Sequence, residues 1–248
     1  MVDLWQTDSS SVVYSPSAHK IVEPLAEGIG TPSNRVGRDI RPDLSYHICA
    51  GSRGSFVKRM FDVVLSIAGL VAISPLFIVV AVAIRIESPG PVFFLQRRYG
   101  LGRKPFMIWK FRSMVQAAEK ESFRQVSRDD GRVTQIGRIL RRSNLDELPQ
   151  LWNVLNGTMS LVGPRPHPTM LDEEFEILIA DYRRRFEVKP GMTGWAQING
   201  LRGETITDAS MQMRIEHDIF YVANGTFWLD VKILFWTLFS MKTFDNAY

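Results

Sequence analysis

Between Asp62 and Arg85 the chain carries no charged residue, and this apolar run limits what the sequence can fold into more than any other feature. It has the length of a helix that crosses a hydrocarbon core, about 20 residues. Two details oppose a simple crossing. Ser74 and Pro75 fall at the middle of the run, where proline removes a backbone hydrogen bond and kinks or breaks a helix. Arg53, Lys58 and Arg59 precede the run, and Arg85, Arg97, Arg98 and Arg103 follow it. Positive charge marks a cytoplasmic flank, so basic residues at both ends predict that both stay on that side. A re-entrant helix–break–helix over residues 56–88, broken at Ser74 and Pro75, satisfies this. Each arm of about 11 residues would reach roughly 16 Å, enough to enter one leaflet. The competing reading is a proline-kinked single-pass helix, because membrane helices tolerate proline. Asp62 belongs at the interface, capping the helix or pairing with Lys58 or Arg59. Ser88-Pro89-Gly90-Pro91 ends the segment with a turn that no helix crosses.

The remainder reads as a polar leader over 1–55, a soluble body over 89–218 and a C-terminal segment over 219–248. The leader is rich in Ser, Pro and Gly with little periodicity, which predicts mostly disorder. It has no basic start followed by an apolar core, so it is no signal peptide. The single cysteine, Cys49, excludes an intrachain disulfide and fits a reducing compartment. No Cys and His cluster has metal-ligand spacing. The formal net charge of +4 suits an acidic partner: phosphate, nucleic acid or anionic lipid.

Chemistry concentrates in residues 141–166, RRSNLDELPQLWNVLNGTMSLVGPRP. The adjacent acids Asp146 and Glu147 lie between an arginine pair and the turn Gly163-Pro164-Arg165-Pro166. Phosphate transfer needs such parts: a carboxylate as nucleophile or cation ligand, and guanidinium groups that grip phosphate oxygens. Leu148, Leu151, Trp152 and Leu155 recur at helical spacing, and Asn156-Gly157 closes the helix. Pro149 fits only in a first turn, which predicts a helix start near Leu145 or Asp146, where the dipole lowers carboxylate pKa values. Acids at a helix start are also ordinary caps, and on spacing alone the two readings stand level.

Val92 to Leu95 and Phe106 to Trp109 read as strands joined by Tyr99-Gly100-Leu101-Gly102. Lys110, Phe111 and Arg112 follow, with both cations predicted on one face: a phosphate clamp or a solvated strand edge. Residues 115–124 read as helix. Leu171 to Phe186 reads as one helix with acids first and Arg183, Arg184 and Arg185 last, an order the macrodipole explains without function. Lys189 to Gly200, with its glycines and proline, predicts close backbone approach to a ligand or a tightly packed loop. A helix is expected over 209–222. Phe227 to Phe239, rich in Trp and Phe, suits a membrane interface or a buried core helix.

These blocks carry a resemblance. From Lys58 to Lys242 the chain resembles the monotopic polyprenyl-phosphate phosphoglycosyltransferases, the bacterial sugar transferases. The matching blocks are Ser88 to Phe94, Gln96 to Gly100, Lys110 to Met114, Leu145 to Gln150, Val162 to Pro166 and Lys189 to Gly200. Gly203-Glu204-Thr205 with Met211 to Glu216 looks most like the hexose-1-phosphate branch. Asn144 and Thr158 depart from the usual residues at their positions, as does Asn224-Gly225-Thr226.

The resemblance implies a helix-rich α+β domain on a re-entrant membrane helix whose break is Ser74 and Pro75. It implies transfer of hexose 1-phosphate, glucose or else galactose, from a UDP-sugar to undecaprenyl phosphate, with release of UMP. The setting is the cytoplasmic face of the bacterial inner membrane, at the first step of exopolysaccharide assembly. Asp146 matches the nucleophile that forms a phosphosugar-enzyme intermediate, and Glu147 the ligand of Mg²⁺. Arg165 matches a phosphate-binding arginine; Lys110, Arg112 and Arg141 match cations near the site, and Arg202 matches one that often follows the glycine directly. Membrane lipids are expected partners, with a homodimer and downstream glycosyltransferases as further ones to test. The rival class is a membrane-tethered basic module that binds anions without turnover. Nucleic acid is not an expected partner, because the arginines are scattered among acids rather than set in a basic stripe with stacking aromatics.

Overall fold

The apolar run folds as part of one helix, α1 (Phe56–Glu87), in a computed structural model that describes residues 56–115, 130–201 and 208–239. All of these belong to the compact unit Ser45–Tyr248. The leader, most of the helix expected over 115–124, Arg202 and the Gly203-Glu204-Thr205 motif lie outside the described residues. Helix α1 runs on through Pro75. Proline has no N–H to give the carbonyl four residues back, and Ser74 Oγ donates to that carbonyl, Val71 O, at 2.8 Å. The dipeptide therefore supplies its own replacement for the bond it removes.

One face of α1 packs on the body. Leu70 and Ile73 join a core of Ile108, Leu151, Val154, Met159, Val162, Val222 and Ile233, while Val80 and Ile84 pack with Phe111 and Leu140. The other face exposes Met60, Val64, Ile67, Val71, Ile78 and Val82, an apolar stripe at helical spacing. By length and composition α1 is able to cross a membrane. Both of its ends are tied to the body. Lys58 Nζ meets Asp230 Oδ2 at 2.5 Å, and Glu87 Oε1 accepts from Gln135 N at 2.6 Å and Ile136 N at 3.2 Å. Among the described residues Asp62 neither caps α1 nor pairs with Lys58 or Arg59. It is buried and accepts from Ser160 Oγ at 2.8 Å and Leu161 N at 3.2 Å, because a buried strand end needs an acceptor more than the helix needs a cap.

Strands β1 (Phe93–Tyr99) and β2 (Pro105–Phe111) form the predicted antiparallel hairpin, in register from Phe93↔Phe111 to Tyr99↔Pro105. Helix α2 (Gln135–Arg142) starts on Thr134, whose side chain accepts from Gly137 N. After a 3-10 turn at Leu145–Glu147 come α3 (Gln150–Leu155) and β3 (Ser160–Val162). Strand β3 pairs in parallel with β4 (Gly191–Thr193). The glycines here serve that contact. A Cβ on Gly191 would lie 2.1 Å from Gly163 N, and one on Gly163 would lie 2.4 Å from Lys189 O. Backbone meets backbone at this point, which gives the tight packing that the glycines of the loop allow.

The helix predicted over 171–186 is two elements. Helix α4 (Thr169–Leu178) stops, Asp181 takes a positive φ of 61°, and a 3-10 turn follows at Tyr182–Glu187. Ile179, Tyr182, Arg185 and Phe186 are all buried, and Ile179, Tyr182 and Phe186 pack with Phe175, Met211 and Ile215. After α5 (Trp195–Ile198), helices α6 (Asp208–Asn224) and α7 (Phe227–Phe239) complete a helix-rich α+β fold. Helix α6 crosses the 218/219 boundary without interruption. Helix α7 buries one face and exposes the other. Asp230 and Ile233 are buried, while Trp228, Phe235, Trp236, Leu238 and Phe239 are exposed.

Candidate active site

Asp146 and Glu147 occupy the one-turn 3-10 segment rather than the start of α3, and Asn144, at a positive φ of 56°, turns the chain into it. Both acids are buried at 8% exposure, and at Asp146 the lowered carboxylate pKa expected from a helix dipole does not appear. Burial first, then the charge of Glu147, push the Asp146 carboxyl up to about 6, against the opposing pull of Lys110, Arg141 and Arg165. A helix of six residues beginning at Gln150 is too short and too distant to offset desolvation.

The two acids are treated differently. Glu147 is clamped: Lys110 Nζ donates to Oε1 at 2.8 Å, Arg165 Nη1 donates to Oε2 at 2.9 Å, and Arg165 Nη2 donates to Oε1. Asp146 accepts no hydrogen bond and forms no ion pair among the described residues, with three cations close enough to act on its charge. One carboxylate is locked and the other is left available as a nucleophile.

Local structure explains how the cations arrive. Asn153 of α3 accepts from Trp109 N at 2.9 Å and donates to Met107 O at 2.7 Å. This staples β2 to α3 and sets Lys110 beside Glu147. Burial lowers the Lys110 pKa although Glu147 pulls it up. Arg141, at the end of α2, donates through Nε to Ser113 Oγ at 2.8 Å and acts electrostatically on Asp146.

Arg112 goes elsewhere. It is buried, donating to Pro89 O at 2.8 Å and to Ser88 O at 2.7 Å. It holds the turn after α1, and Lys110 and Arg112 do not share a target as the strand pattern predicted. The β2 register ends at Phe111, so alternation no longer fixes where Arg112 points. Arg165 joins the acids from the Gly-Pro-Arg-Pro turn, and Arg202 lies outside the described residues.

Sequence reasoning passed over a second polar cluster behind Arg165. Arg98 is buried, and its Nη1 donates to Pro166 O at 3.3 Å. His167, Asp172, Tyr182, Arg185 and Asp218 are buried with it. Only Arg98 had a local signal, within the Gln96 to Gly100 block. Among the described residues no group of three or more His, Cys, Asp or Glu could hold a metal ion.

Residues 53–243 match the bacterial sugar transferase family. The chain belongs to that family. Its relatives include a UDP-glucose:undecaprenyl-phosphate glucose-1-phosphate transferase of Escherichia coli (strain K12), 49% identical over 190 residues, or 77% of this chain and 40% of the relative. A protein of the same name from Caulobacter vibrioides is 48% identical over 77% of this chain and 72% of the relative. The exopolysaccharide production protein PSS of Rhizobium leguminosarum bv. phaseoli is 44% identical over 75% of this chain and 96% of its own length. The matched part thus spans about 40% of the length of the Escherichia coli relative, and most of the other two. Within the matched region lie Asp146, Glu147 and every cation named above.

Proposed function

We propose that this protein transfers hexose 1-phosphate, with glucose as the sugar, from a UDP-sugar to undecaprenyl phosphate and releases UMP. The observation that carries this is the unequal carboxylate pair: a buried, unbonded Asp146 beside a Glu147 held by Lys110 and Arg165. The names of the relatives from Escherichia coli and Caulobacter vibrioides supply the substrate class. A binding module without turnover needs the cations but has no use for an unpaired buried carboxylate, which costs free energy.

In this reading an Asp146 oxygen attacks the β-phosphorus of the donor. The bond from that phosphorus to the oxygen bridging the two phosphates breaks, and that oxygen leaves with UMP. The phosphosugar is then joined to Asp146 as an acyl phosphate. A phosphate oxygen of undecaprenyl phosphate attacks the same phosphorus, frees the Asp146 carboxylate and forms the lipid diphosphosugar. Lys110, Arg141 and Arg165 face the charge that the donor diphosphate brings.

Two adjacent carboxylates fit a hard divalent cation whose remaining ligands are phosphate oxygens and water. Glu147 would hold Mg²⁺ there, giving up part of its contact with Lys110 or Arg165. The ion would supply neutralisation of the diphosphate charge.

The same proposal places the chain at the cytoplasmic face of the inner membrane, with α1 re-entrant. Lys58 and Asp62 at one end of α1 and Glu87 at the other bind the same body, which supports both ends lying on one side. The helix is continuous, so its return would be a bend at Pro75 rather than an unwound gap.

The test is UMP release from a panel of UDP-sugars, with Mg²⁺ and polyprenyl phosphate, for the wild type and Asp146→Asn. Release that depends on the sugar and is lost in the variant is the expected result. Folded, membrane-inserted protein that stays silent with every donor would return the chain to the binding-module class.

A further inference from the structure

The arginine triplet that closes the acid-to-basic segment does not act as a unit. Arg183 is exposed and pairs with Glu176, and Arg184 reaches Glu187 at 3.7 Å. Arg185 turns inward. Its Nη1 donates to Tyr182 Oη at 2.8 Å and Asp172 Oδ1 at 3.1 Å, and meets His167 Nδ1 at 2.6 Å. Its Nη2 donates to Asp218 Oδ2 at 3.1 Å and to the Arg165 carbonyl at 2.5 Å. A guanidinium only donates, so His167 Nδ1 is an acceptor and the ring is neutral with its proton on Nε2. Burial, then Arg185, hold the His167 pKa well below the usual range, in agreement with a neutral ring.

The bond to the Arg165 carbonyl gives the cluster a role beyond packing. Pro164 and Pro166 flank Arg165, and neither has an N–H with which to pin the turn. Its carbonyls are held from outside instead. Pro164 O accepts from Gly191 N at 2.9 Å, Arg165 O from Arg185, and Pro166 O from Arg98 at 3.3 Å. Only the central one of these residues carries the side chain that grips Glu147 through both of its Nη atoms.

We propose that Arg185 is a positioning residue for the transfer: anchored by Asp172 of α4 and Asp218 of α6, it fixes the Arg165 backbone so that the Arg165 guanidinium meets Glu147 in register. For its kinetic consequences this inference rests on the transferase reading above. A buried ion network is weak evidence of stability by itself, whereas a displacement of about 1 Å at a reacting group costs up to about 100-fold in rate. The sensitive quantity is therefore placement.

The test is a double-mutant cycle on the full chain in detergent micelles. Arg185→Lys keeps the charge and loses the fork whose Nη1 reaches Asp172 while Nη2 reaches Asp218 and the Arg165 carbonyl. Asp218→Asn loosens the same anchor from α6 and serves if Arg185→Lys does not fold. Either change is expected to lower kcat about 10- to 100-fold with the donor KM changed less than about threefold. On an Arg165→Ala background the same change is expected to cost less than about twofold, because the group being positioned is gone. An equal factor on both backgrounds overturns the proposal.

A second readout needs no turnover. Arginine-selective ¹⁵N labelling, with Arg165 signals assigned by their loss in Arg165→Ala, shows separate Nη–H resonances while the bidentate pair is locked. These are expected to merge in Arg185→Lys or Asp218→Asn; if they stay separate, Arg185 does not position Arg165. If the wild type releases no UMP, the transferase reading fails and these signals alone decide whether Arg185 positions Arg165.

Discussion

At Asp146, function and stability pull in opposite directions. The carboxyl is raised from 3.8 to about 6 by burial and then by Glu147, so the fold disfavours the charged form that a nucleophile requires. A raised carboxyl pKa means that the native state holds a proton longer than the unfolded chain. The resulting penalty is absent below the unfolded value, grows as pH rises, and is complete above about 6. Asp146→Asn is therefore expected to abolish transfer yet stabilise the protein by about 1–3 kcal/mol at pH 7. That gain should vanish by pH 4. Thermal unfolding of both proteins between pH 4 and pH 8 checks this, and a variant that loses stability at pH 7 would contradict the electrostatic account of the site. Glu147 gives no such gain when changed, because its half-buried partners Lys110 and Arg165 would lose the carboxylate that pairs them.

At the scale of elements, the site depends on the parallel pair of β3 and β4, whose close approach delivers the Gly163 to Pro166 turn. A Cβ at Gly191 would sit 2.1 Å from Gly163 N, and neither backbone can yield without parting the strands. Gly191→Ala is expected to cost about 3 kcal/mol or more. Gly131→Ala meets nothing within 4 Å and is expected to fall within about 0.5 kcal/mol of the wild type. Denaturant unfolding of the two variants makes the comparison, and equal midpoints would remove the packing explanation for these glycines.

Elements of this kind were legible where local pattern decides them. The β1–β2 hairpin and the extent of α7 follow from alternation and apolar content over a few residues. The Arg165 turn and the carboxylate pair stood out because unusual residues sit side by side. The break between α4 and the 3-10 turn was not legible. The apolar spacing runs through it unbroken, Asp181 takes the positive φ that ends the helical path, and the acids that receive Arg185 lie 13 and 33 residues away. An arginine at the end of a helical segment looks alike in sequence whether it serves the macrodipole or a buried carboxylate on another element.

For the whole molecule the question is how the folded body and an apolar helix are placed at a membrane. Helix α1 is 32 residues long, about 48 Å if straight, against a hydrocarbon core of about 30 Å. A straight crossing would carry one end beyond the far headgroups. It would have to break either the Lys58 and Asp62 contacts or those of Ile84 and Glu87 with α2, since both sets lie on one body. A bend at Pro75 keeps both. The native Cys49 reports one flank, and Gly90→Cys in a Cys49→Ser background reports the other. With a membrane-impermeant maleimide, both are expected to be silent in intact spheroplasts and labelled after permeabilisation. Labelling from opposite sides would mean that α1 crosses the bilayer. Pro75→Ala sharpens the test, because it returns an N–H to Val71 O and makes the helical bond there ordinary. In the re-entrant reading this removes the bend, and the apolar run is then long enough to span. Cys49 is then expected to become reachable from outside while position 90 stays inside, with loss of transfer although Asp146, Glu147 and Arg165 are untouched.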